Sequence, residues 1–316
     1  ADLKLYPSAD LDASWKKLLI NQFHDIIPGS SINLVYQNTH KEYIEIHKKC
    51  DELIEKGIAT LFEKSDNSFV LSNILSYSYE GLKKIPKNFI GYSLITENND
   101  EISTQEINGE NYCQVSLPPF SFTNFRKGKK QKHQTKKQSG FVLENELVQY
   151  NFSMDGTLTS ALDKEVNKNL LSAPGNVLSL YEDRPLNWDA WDIDFYYRDS
   201  LLETARIEKI NKVQSGSVLS SLEIHYNIGN SSIKQIISLS NRSKRLDFDT
   251  IVNWHEKHKM LRVHFPTNIV SEQASFDIQY GYVKRNTHKN TSWDRAKFEV
   301  VGHKYADLSD NDYGIA

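Results

Sequence analysis

At 316 residues the chain is long enough for two or three domains with sizeable cores. Its 38 basic and 41 acidic side chains leave a net charge of -3, so no overall field points to nucleic acid or to an anionic membrane surface. No apolar run reaches the roughly 18 residues of a membrane-crossing helix, no leader pattern opens the chain, and Cys50 and Cys113 lie far apart without metal-type spacing, as expected of reduced thiols in a reducing compartment.

The first 64 residues read as helical. On a helix of about 3.6 residues per turn, Leu11, Trp15, Leu18, Leu19, Phe23 and Ile26 fall within one arc and are expected to be buried. His24 lies on the opposite, polar side with Lys17, Asn21 and Pro28, in the last turn before the proline ends the helix. Asp25 follows it. Adjacent side chains at the end of a rigid helix can both reach into a pocket above that end; the bland alternative is a solvated His–Asp pair. After Pro28-Gly29, Ser30 or Ser31 can cap a second helix, whose apolar positions from Ile32 to Leu61 keep three-and-four spacing. At 1.5 Å per residue that helix is about 45 Å long. The first covers barely half of that length, so an antiparallel hairpin that needs further helical partners is predicted.

From Phe69 the period becomes alternating. Short runs at Ser68 to Asn73, Ile90 to Thr96 and Tyr112 to Leu117 predict a small β domain that ends near Phe125. Arg126 to Lys137 is a dense basic run without interleaved aromatics, read as a hairpin tip rather than a nucleic-acid contact. Phe141 to Asn145, Leu147 to Phe152 and Leu158 to Leu162 form a meander with Asp155-Gly156 as its tight turn. Val218 to Tyr226, Ser232 to Leu239, Arg245 to Val252, Leu261 to Phe265 and Phe276 to Tyr280 continue the pattern. The fold class is α+β: a helical part at 1–64, a small β domain at 65–138 and a large antiparallel β-sandwich at 139–316, incomplete at its end, with the whole chain expected to be a piece of something longer.

Tyr181 to Tyr197 crowds tryptophans, tyrosines and carboxylates together, as sugar sites do: aromatic faces stack on a pyranose while carboxylates accept from its hydroxyls. An aromatic contact between domains explains the same composition equally well. Trp254-His255-Glu256-Lys257-His258 lacks the helical His spacing of a zinc protease and sits between strand patterns, so it is read as structural, as is the lone His288.

Asn21-Gln22-Phe23-His24-Asp25-Ile26-Ile27-Pro28-Gly29-Ser30-Ser31 resembles the signature of the family 38 glycoside hydrolases, the class II α-mannosidases, in the subgroup of cytosolic and bacterial enzymes. Asn73 to Ser76, Trp188 to Asp194, Asn253 to Lys259, Arg285 to His288 with Trp293-Asp294, and Phe298 to Ser309 resemble the same subgroup in the same order. The resemblance implies a retaining exo-α-mannosidase of terminal α-mannosides in oligosaccharides. It holds one divalent metal ion, zinc first and cobalt as the alternative, on two Asp and two His. His24 matches a metal-ligating histidine and Asp25 a carboxylate that hydrogen-bonds the sugar. No catalytic residue falls in this sequence, since the nucleophile and the acid/base match positions upstream. Trp188, Asp189, Trp191 and Asp192 are expected to wall the pocket. A cytoplasmic, bacterial setting, a homo-oligomer and no nucleic-acid or membrane partner complete the expectation. The competing class is a non-catalytic carbohydrate-binding or assembly module.

Overall fold

The computed structural model describes residues 6–107, 109–131, 140–189 and 191–316. Two helices, α1 (Ser8–Asn21) and α2 (Asn33–Leu61), precede strands that run from Ser68 to the end, interrupted late by the short helix α3 (Ser292–Ala296). The chain is α+β with a small helical part and β structure dominant. It forms two compact units, Ala1–Phe69 with Asn187–Asp192, and Val70–Leu186 with Ile193–Ala316.

In the helical unit α1 packs on α2 through only part of the predicted arc, together with polar residues. The buried residue of α1 is Asn21 and that of α2 is Thr39. Asn21 donates its amide to Glu42 Oε2 at 2.6 Å and to the Lys17 carbonyl at 2.9 Å. Lys17 pairs with Glu45. These polar links draw the Leu11–Leu18–Asn21 side toward α2, so Leu11 and Leu18 of the expected arc are partly covered, whereas Trp15, Leu19 and Phe23 are each more than half exposed. A helical wheel locates an apolar arc but not the neighbour that will cover it. α1 also ends at Asn21, before His24. The N-cap of α2 is Ile32 in extended conformation, without a side-chain cap, instead of Ser30 or Ser31.

In the β unit every described strand pair is antiparallel. Glu110–Leu117 lies between Tyr79–Ile85 and Thr104–Ile107 in one sheet, and Ser121–Lys130 pairs with Tyr92–Ile95 in another. The basic run is therefore strand as far as Lys130, which the hairpin-tip reading did not anticipate. Lys127 sits 5.0 Å above the rings of both Phe89 and Tyr92, cross-strand and loop partners that local composition cannot reveal. Positions 132–137 of the run lie outside the described residues.

The largest sheet orders Arg206–Ser215, Leu219–Ile228, Ser231–Ser240 and Leu246–Asn253. Leu222, Ile224, Tyr226 and Ile228 alternate inward, and meet Leu143, Val148 and Phe152 from the meander and Leu180 from Val177–Glu182 in one core. Each such side chain, fully buried, contributes about 1.5–3 kcal/mol. The Asp155-Gly156 turn forms as read: Gly156 has φ +80°, and the Tyr226 hydroxyl, 3.0 Å from its carbonyl, would lie 2.5 Å from any Cβ there.

Candidate functional site

The segment after α1 descends through a chain of tight turns, with Ile26 N–H donating to the Phe23 carbonyl at 2.8 Å and Gly29 N–H to the Ile26 carbonyl at 3.1 Å. Gly29 takes φ +88°, which a residue with a Cβ rarely adopts. Tyr36 of α2 pins this segment: its hydroxyl accepts from Ser31 N–H at 2.7 Å and lies 3.3 Å from the Asp25 and Ile26 carbonyls, to which it can donate. The amphipathic ring of Tyr36 counted in the sequence only as one more apolar position, so its polar tip went unread.

Held this way, His24 rests its ring on Phe23, centroids 4.2 Å apart, and brings Nε2 to 3.9 Å from Asp25 Oδ2. Their side chains are 77% and 54% exposed. His24 is thus no core histidine, and its imidazole is available to a ligand. The described residues contain no group of three or more His, Cys, Asp or Glu side chains that could hold a metal ion. His24 is a single donor, and the described residues alone do not make a metal centre.

The Tyr181 to Tyr197 cluster divides into parts with different environments. At its ends Tyr181 and Tyr197 are buried edge to face at 5.5 Å. The Tyr181 hydroxyl is 3.2 Å from His264 Nε2, and Tyr197 donates to Glu299 Oε1 at 2.6 Å while the Arg262 guanidinium lies 5.0 Å over its ring. Burial, and then the bond to Glu299, holds the Tyr197 phenol above its ordinary range; burial lowers His264. These end residues are scaffold. In the middle, Trp188, Asp189, Trp191 and Asp192 are all exposed, the tryptophans at 73% and 61%. Trp188 adopts φ +64°, strained for an aromatic residue, and its carbonyl accepts from the N–H groups of Trp191 and Asp192 at 2.7 and 3.0 Å. The base of the loop is closed by Asp194, which accepts from Leu186 N–H and the Tyr196 hydroxyl; the latter bond leads in holding its carboxyl below the usual range. Asn187–Asp192 belongs to the same compact unit as the helices.

The Trp254–His258 motif adopts no helix. Glu256 accepts from Asn230 N–H and from Ser231 Oγ at 3.2 Å and pairs with Lys259, which ties two loops together. His288 Nδ1 is 3.6 Å from Asp294 Oδ2, beside the Thr291 cap of α3.

Residues 143–316 match the family model "Glycosyl hydrolases family 38 C-terminal domain", and residues 2–61 match "Alpha mannosidase middle domain". The chain belongs to glycosyl hydrolase family 38. It is 31% identical to "Alpha-mannosidase G" of Dictyostelium discoideum over 98% of this chain and 33% of that protein. It is 32% identical to "Alpha-mannosidase 2C1" of Mus musculus over 99% of this chain and 30% of that protein. An alpha-mannosidase crystal structure from Enterococcus faecalis shares the fold with a TM-score of 0.74 at 18% identity, covering 98% of this chain and 44% of that one. The chain thus spans about a third of the length of the curated relatives it matches.

Proposed function

We propose that this chain is the middle and C-terminal portion of a metal-dependent, retaining exo-α-mannosidase that removes terminal mannose from oligosaccharides. The observation that carries the reading is the match to both an alpha-mannosidase middle domain and a family 38 C-terminal domain in one chain. In this reading, residues 65–138 act as a small β domain and 139–316 as a large antiparallel β-sandwich. The setting is cytoplasmic, in line with Cys50 and Cys113, which are both free.

His24 supplies one ligand to a divalent metal, zinc or cobalt, and the other ligands come from polypeptide beyond this chain. The support is an exposed imidazole held on a turn pinned by Tyr36. When bound, such a metal supplies Lewis-acid charge that orients sugar hydroxyls. Asp25, beside it, accepts a hydrogen bond from the sugar. Trp188, Asp189, Trp191 and Asp192 wall the pocket, a role supported by their exposure, the strained Trp188 backbone and their grouping with the helical unit. Nothing in this chain is assigned as nucleophile or general acid, so the 316 residues alone are expected to turn over no aryl α-mannoside.

The test is metal content. In the longer polypeptide, His24→Ala should lower bound zinc measured by mass spectrometry and abolish hydrolysis, whereas Asp25→Asn should keep the metal and weaken sugar binding. Unchanged metal content and rate in His24→Ala would remove the ligand assignment.

A further inference from the structure

We infer that the β unit carries a second ligand site, a polar cleft that takes a neutral oligosaccharide. The cleft has a volume of about 1300 Å³ and is formed wholly within that unit. Its floor is the face of the largest sheet turned away from the core. There the strand register sets Ser221, Ser238 and Asp247 side by side in one row, and the paired Ile236 and Asp249 lie in the next. Other lining comes from the Tyr79–Ile85 and Glu110–Leu117 strands, with Tyr79 and Tyr112, and from the start of Ser121–Lys130, with Phe122.

Three observations point to a polyol. First, the floor carries short hydroxyl and carboxylate side chains, groups that accept from sugar hydroxyls and, for serine, also donate to them. Ser221 is 1% exposed and its Oγ has no hydrogen-bond partner among the described residues, which leaves a polar group unmet on the cleft floor. Second, the aromatic side chains Tyr79, Tyr112 and Phe122 line the cleft, and Phe122 is 53% exposed, a flat surface for the apolar side of a pyranose. Third, Glu80, Glu97, Glu101 and Asp249 outnumber the lining cations Arg242 and Arg245, and Arg245 is already paired with Asp247 at 2.7 Å, so phosphorylated or sulfated ligands are disfavoured.

The walls are fixed before any ligand arrives. Gln105 bonds Val218 and Leu219 at the closed end, and Ser240 Oγ bonds Gln114 Oε1 across the cleft at 2.8 Å. A preformed cleft loses little ordering entropy on binding. No mannose-specific feature enters this inference, and it does not depend on the mannosidase reading.

The test is calorimetric titration of the 316-residue chain with mannopentaose, maltopentaose and chitopentaose in the presence of a chelator, so that no metal-held sugar contributes. At least one is expected to bind, with Kd raised about tenfold or more by Phe122→Ala and by Asp249→Ala at unchanged thermal midpoint. Both side chains are exposed, so the fold should tolerate both changes. Binding of none of the three sugars, equal binding by wild type and both variants, or displacement of the bound sugar by an oligolysine peptide in preference to free sugar would overturn the assignment. Each of these results leaves the His24 metal test unaffected.

Discussion

His24 shows how little regular structure is needed to present an imidazole. The ring is held by a neighbour in sequence, Phe23, and by the Tyr36 clamp on the turn that follows, and not by helical geometry. Trp188 and Trp191 are presented in a similar way, on a turn closed at its base by Asp194. If they stack on a sugar, Trp191→Ala in the longer polypeptide removes about 0.5–1.5 kcal/mol and raises KM for a mannoside by up to about tenfold; unchanged steady-state constants would end that role. The cysteines offer a simpler contrast. Burial pushes the Cys113 thiol up to about 12, whereas Cys50 is half-buried on α2. Thiol titration of the native chain at mildly alkaline pH should therefore label Cys50 rapidly and Cys113 only after unfolding. Rapid labelling of both would contradict the buried position of Cys113.

At the scale of elements, polar links decide arrangements that apolar patterns leave open. Asn21–Glu42 and Lys17–Glu45 select the side of α1 that meets α2. Glu256 does comparable work between loops. Its carboxyl is held below the ordinary glutamate value, first by the bond to Lys259 and then by Asn230 N–H. A depressed carboxyl stabilises the fold above its unfolded pKa, near 4.3, and that contribution is lost as pH falls through the folded value. Glu256→Gln should therefore lower the thermal midpoint at neutral pH, with the gap to wild type narrowing once pH drops below about 4.3. A gap that stays constant down to strong acid would show that the charge on Glu256 does not contribute.

At the scale of the whole molecule, the Gln105 amide is one of the polar links that tie the sheets of the β unit together. Gln105 Oε1 accepts from Val218 N–H at 2.9 Å and Leu219 N–H at 3.0 Å, and its Nε2 donates to the Leu219 carbonyl at 2.9 Å. Gly216 leaves room for it, since a Cβ there would fall 2.3 Å from the Gln105 side chain. Gln105→Leu removes the acceptor of two buried N–H groups and should cost at least about 2 kcal/mol in urea unfolding. A loss within error would mean that water or a backbone shift replaces the clamp.

Such links explain what could and could not be read without coordinates. Period-two patterns placed the strongest strands, as in Leu219–Ile228 and Ser231–Ser240, because inward side chains must alternate when one face is buried. The strand Tyr79–Ile85, with Gly81 and two lysines, has no such pattern and forms through its pairing with Glu110–Leu117. The family signature singled out His24 and Asp25, and the aromatic run singled out the Trp188 loop, because local composition records chemistry. The facing of α1 depends on links such as Asn21–Glu42 and Lys17–Glu45 that no local period encodes; in the β unit, the cleft between sheets depends on residues as far apart as Gln105 and Leu219. Their proximity is set by packing of the whole β unit, and no local period encodes it.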